Sequence, residues 1–206
     1  MNIKLNKTPF IFFLILFFYF LTYFKVLNAN EQIDGSDIII GEENAIVEII
    51  IYESLTCSHC AEFHKIVLPK IKKQYVDTGK VKLILKDFPL DLASLNAAKI
   101  VKCADKKDKL SLLNYMYENQ SSWSNANDIS QINENLSIIA AKFNLNKDQA
   151  NECIENKKNE NIILNNRIDA NKKYKINSTP SIVINKKKLK GPLNFENIKK
   201  ALKKII

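Results

Sequence analysis

Apolar and polar positions follow two different rhythms along the chain, and the rhythm changes near residue 57. Residues 9–24 form a nearly unbroken apolar run behind Lys4 and Lys7. Residues 45–52 are a second apolar run, rich in β-branched side chains, the pattern of a strand buried on both faces. A short strand at 37–40 and a turn at 41–44 precede it, and 81–87 reads as a further strand. From Cys57 to about Tyr75 the spacing turns helical, with Pro69 inside it. A proline at that place removes a backbone hydrogen bond and predicts a kink.

Between residues 92 and 173 helical spacing dominates and strand character is weak. The helical stretches are 92–104, 107–118, 132–143 and 147 to 165 or beyond, with polar links such as 121–125 between them. A strand at 181–184, a turn at 185–187 and a return strand at 188–190 follow. After Gly191-Pro192 comes a last helix, with Phe195, Ile198, Leu202 and Ile205 on one face. The predicted order is βαβ, a helical block, then ββα, an α/β chain.

With 206 residues the chain has room for one core and an inserted subdomain, and it shows no internal repeat. The formal charge of +9 does not point to nucleic acid, because the basic residues are spread along the chain among 22 acidic ones. The N-terminal pattern of lysines, apolar run and Val26-Leu27-Asn28-Ala29 is that of an export signal. Residues 1–29 are therefore expected to be a signal peptide cleaved after Ala29, with a retained membrane anchor as the alternative. Export places four cysteines in an oxidising compartment, where they work as disulfides.

The chemistry centres on Cys57-Ser58-His59-Cys60, set between the apolar strand and the helical stretch. A lone pair of cysteines at this spacing fits half a zinc site, a structural bridge or a redox pair. Its place favours the third. The first turn of a helix leaves N–H groups unpaired and carries partial positive charge, which stabilises a sulfur anion. Cysteines so placed have pKa values lowered to about 3.5–7.5, which makes their disulfides more oxidising. His59, between the two cysteines, adds a donor and a potential positive charge.

Taken with Thr179-Pro180 before the second ββα half, the chain resembles the DsbA family of exported thiol-disulfide oxidoreductases, in its α-proteobacterial branch. The resemblance rests on Tyr52-Glu-Ser-Leu-Thr-Cys-Ser-His-Cys-Ala-Glu-Phe-His64, Leu68-Pro69, residues 75–81, Phe88-Pro-Leu90, Ala97-Ala98 with Cys103-Ala104, and residues 178–185. It implies a thioredoxin-like fold with an inserted all-helical subdomain. On this reading residues 30–91 and 174–206 make the thioredoxin-like domain and 92–173 the insertion. It implies Cys57 as exposed nucleophile, Cys60 as buried resolving thiol and His59 as the residue that tunes them. Pro180 is implied to follow a cis peptide bond, bringing the Thr179 backbone beside the cysteines. No cofactor is implied.

Two positions depart from the family pattern. Ser58 stands where proline is frequent, and Ile51 stands six residues before Cys57, where many relatives carry an acid that moves a proton from the buried thiol. Glu53 and Glu48 are the substitutes at hand. In an exported protein Cys103 and Cys153, in separate predicted helices, are expected to pair as a structural disulfide, with two free buried thiols as the alternative.

The function expected is donation of the Cys57–Cys60 disulfide to reduced or misfolded exported proteins in the periplasm, with reoxidation by a quinone-linked membrane partner of DsbB type. The alternatives are a disulfide isomerase or reductase, and a copper or zinc module using Cys57, Cys60 and His64, which share roughly one helix face. Nucleic acid is not an expected partner, and the membrane is one only through an uncleaved N-terminal segment.

Overall fold

The computed structural model describes residues 37–206, so the expected signal peptide or anchor at 1–29 lies outside the described residues. The long apolar run becomes the central strand because both of its faces are covered. Strand β2 (Val47–Glu53) is buried almost throughout. It pairs in parallel with β3 (Val81–Asp87), and antiparallel with β4 (Ser181–Ile184) on its other side. With β1 (Ile38–Ile40) and β5 (Lys187–Lys188) at the edges, the described sheet has the order β1-β3-β2-β4-β5. This is a thioredoxin-like fold with a helical insertion.

Register places the site. Tyr52 lies opposite Ser181, so the residues leaving β2 run beside those entering β4. The β4–β5 turn is one residue shorter than expected: Asn185 and Lys186 both take left-handed backbone, as a two-residue hairpin turn requires, and pairing resumes at Lys187.

The expected helix from Cys57 to Tyr75 is broken. It consists of α1 (Ser58–Ile66), α2 (Leu68–Ile71) and a π-helical turn at Lys72–Val76. Pro69 sits in the first turn of α2 and the break falls before it at Val67, because proline has no N–H for the Lys65 carbonyl and its ring crowds that oxygen.

The insertion is richer in helices than its spacing suggests. It holds α3 (Leu92–Cys103), α4 (Lys109–Glu118), α5 (Gln120–Ser124), α6 (Ile129–Ala141), α7 (Lys147–Glu155) and α8 (Lys157–Tyr174). The expected polar link at 121–125 is largely α5, drawn inward by the fully buried Trp123, whose Nε1–H donates to the Met116 carbonyl at 2.9 Å. The expected long helix from 147 divides at Asn156, which takes extended backbone and caps α8 by accepting from the Asn159 N–H at 2.9 Å. The closing helix α9 (Phe195–Leu202) buries Phe195, Ile198 and Leu202, but it ends before Ile205, which is exposed. Among the described residues no helix is long and apolar enough to cross a membrane.

Candidate functional site

Cys57 occupies the N-cap of α1 with extended backbone, so the first-turn N–H groups open toward it. Its own N–H donates to the Ser54 carbonyl at 3.0 Å, and its carbonyl accepts from the N–H groups of Cys60 and Ala61. The two cysteines are free thiols. Cys57 keeps 9% of its surface exposed and Cys60 only 1%. The expected exposed nucleophile is thus largely covered, because the turn before β4 lies over it: the Cys57 thiol donates to the Thr179 carbonyl at 3.3 Å. Thr179–Pro180 is a cis peptide bond, and Pro180 is buried. Ser58 and His59 are exposed on the outer side of the turn.

The loop from β2 to α1 is fastened to the segment after β3 and to the insertion. Thr56 Oγ1 donates to Asp91 Oδ2 at 2.8 Å, the Leu55 carbonyl accepts from Gln120 Nε2 at 2.7 Å, and the Phe88 N–H donates to the Glu53 carbonyl at 2.7 Å. Asp91 also caps α3, accepting from the Ser94 N–H at 2.7 Å. Asp91→Ala is expected to lower stability by about 1 kcal/mol, the worth of a lost N-cap, as read by urea unfolding.

Burial pushes the Cys60 thiol well up from its ordinary range, and the Glu53 charge adds to this; the Ser54 backbone and the Thr179 side chain act in the other direction. Sequence reasoning did not assign an acid here. The structure separates its two candidates: Glu48 faces Lys82 at 3.4 Å, whereas Glu53 is buried at the end of β2. Glu53 Oε2 accepts from His64 Nε2 at 2.7 Å, and the other ring nitrogen of His64 meets Asn114 Oδ1 at 3.2 Å. The His64 ring packs on Tyr117, centroids 4.3 Å apart. The spacing from Cys60 to His64, one helical turn, and the nearness of Glu53 to Cys57 in the chain were the signals for this cluster in the sequence.

The metal reading loses its histidine, since both His64 ring nitrogens have partners. Among the described residues no cluster of histidine, cysteine and acidic side chains is arranged to hold a metal. Burial works against the His64 cation, but the Glu53 charge and the hydrogen bonds with Glu53 and Asn114 together outweigh it, so its pKa is raised from the ordinary histidine value. A histidine raised on folding contributes stability that is complete below the unfolded value and is lost as pH rises through the folded one. Oxidised protein is therefore expected to lose stability relative to His64→Gln on raising the pH through that interval, as followed by urea midpoints.

Cys103, closing α3, and Cys153, in α7, are joined as a disulfide away from the site.

Residues 34–204 match the sequence profile of a thioredoxin family. Wolbachia pipientis alpha-DsbA1 is 33% identical in sequence, with a TM-score of 0.74 over 87% of this chain and 94% of that one. Proteins of Rickettsia conorii and Rickettsia prowazekii, provisionally named protein-disulfide oxidoreductases, are 26% and 27% identical over 78% and 85% of this chain. The chain spans 57% and 63% of the length of these two relatives.

Proposed function

The chain belongs to the thioredoxin family, in its DsbA-like group of protein-disulfide oxidoreductases, and from that premise we propose that it is exported and donates the Cys57–Cys60 disulfide to folding proteins. The observation that carries the reading is the placing of Cys57 at a helix start beside the Thr179 carbonyl, with Cys60 buried behind it. An extended client segment laid against the Thr179 backbone presents its thiolate to Cys57.

The client thiolate attacks Cys57 Sγ, a client–Cys57 disulfide forms, and the Cys57–Cys60 bond breaks with its electron pair on Cys60. A second client thiolate then attacks the client sulfur and expels Cys57 as a thiolate, at a helix terminus suited to negative charge. Two client thiols are oxidised and one protein disulfide is reduced. Reoxidation is assigned to a quinone-linked membrane partner of DsbB type, and the site of action to the periplasm.

A glutathione redox titration of residues 30–206 within the full chain, paired with oxidation of a reduced model protein, tests the reading. The expected result is a potential well above that of thioredoxin and rapid client oxidation. A thioredoxin-like potential with no client oxidation would assign the chain to reduction or isomerisation instead.

A further inference from the structure

His64 is buried with an acceptor oxygen at each ring nitrogen, Glu53 Oε2 at 2.7 Å and Asn114 Oδ1 at 3.2 Å. A neutral imidazole donates from one nitrogen only, so with the Asn114 oxygen facing the ring the two bonds are made together by the imidazolium, whereas the neutral ring makes both only with that amide turned over. Its carboxylate partner stands at the end of β2, the strand that leads into Cys57, and its own helix carries Cys60 one turn earlier. His64, Asn114 and Tyr117 also border a cleft of about 750 Å³ between α1 and α4, which gives solvent protons an approach that Cys60 lacks. The Tyr117 hydroxyl, buried in the same cluster, has no hydrogen-bond partner among the described residues.

We propose that His64 is a positioning residue for disulfide exchange: as a cation it cancels the charge of Glu53, lets Cys60 leave as a thiolate, and the Glu53–His64 pair then supplies the proton that Cys60 takes up. The inference rests on the oxidoreductase reading above and adds a group outside the two cysteines to it. When the client thiolate attacks Cys57, the electron pair of the broken bond resides on Cys60. A proton moves from the pair to Cys60, leaving a neutral imidazole on Glu53, and solvent in the cleft restores it. Electrons move only between client thiols and the protein disulfide.

The groups facing His64 limit what else could produce the same pH dependence. They are Glu53 from β2, Cys60 on its own helix, and Asn114 and Tyr117 from α4, with Glu62, Lys65, Lys72 and Glu118 at the rim of the cleft. Burial, with the charges of Glu53 and Cys60, holds Tyr117 well above its ordinary range, so it stays neutral.

Client oxidation measured across pH, with rates corrected for client thiolate, should show a step at the titration of His64. His64→Gln should abolish that step and slow the reaction on its acid side by about threefold, the rate effect of one pKa unit on the leaving thiol at a Brønsted slope near one half. Glu53→Gln combined with His64→Gln should recover most of the loss, because departure of Cys60 limits the rate, its protonation follows, and no uncompensated carboxylate remains to oppose that departure. An unchanged profile in His64→Gln, or a double variant as slow as the single one, would overturn the proposal. NMR titration of His64 in the wild-type protein needs no variant: the curves of the oxidised and reduced forms should differ, and coincident curves would overturn it. Failure of the wild type to oxidise client would sink the oxidoreductase reading instead, while the NMR comparison still decides the coupling.

Discussion

Cys57→Ser protein oxidises a reduced client more slowly than wild type by roughly three orders of magnitude or more, as expected when the attacked atom itself is removed. The reason is positional as well as chemical. Cys57 meets the turn before β4 through the Thr179 carbonyl, while Cys60 lies below it with 1% of its surface exposed. A disulfide exchanged through Cys60 would require the first turn of α1 to open. Cys60→Ser also ends turnover, because no protein disulfide can form, but it keeps the reactive sulfur. Supplied with an already oxidised client, that variant is expected to accumulate a client–Cys57 adduct that Cys57→Ser does not form. Non-reducing gels and peptide mapping distinguish the two variants.

Replacing both Cys103 and Cys153 by alanine is expected to lower stability by about 4 kcal/mol, the chain-entropy value for a crosslink that closes a loop of 50 residues. That loop spans α4, α5 and α6 and joins the end of α3 to α7, so its removal loosens the unfolded chain across most of the insertion. The double variant avoids leaving one thiol to pair wrongly with Cys57. Urea unfolding measures the loss, and wild-type protein kept in strong reductant should approach the stability of the variant. The site lies in other elements, so client oxidation by the folded double variant is expected to stay within severalfold of wild type.

Strands β2 and β4 were legible because they are buried on both faces and therefore read as continuous apolar runs. The meeting of Cys57 with Thr179 was implied only by the family resemblance, and the antiparallel register of β2 and β4 is its physical cause in the structure. The helix breaks were harder to read. Pro69 gave the cause, but its effect falls at Val67, a residue with no signal of its own. Asn156 sits among many asparagines, each an acceptable cap, and only packing selects one of them. Ser121-Ser122-Trp123-Ser124 has the composition of a loop, and the burial of one indole overrides it. The pair Glu53–His64 joins the end of a strand to the far side of a helix, a contact that no local spacing encodes.

Selective alkylation tests the central claim most directly. Reduced protein is treated at neutral pH with less than one equivalent of iodoacetamide, then unfolded, labelled with an isotopically distinct reagent and mapped by mass. The sulfur that clients attack must also be the one a small electrophile reaches, so the first label should reside on Cys57 with Cys60 carrying only the second. First label on Cys60, or shared equally between the two, would contradict the account.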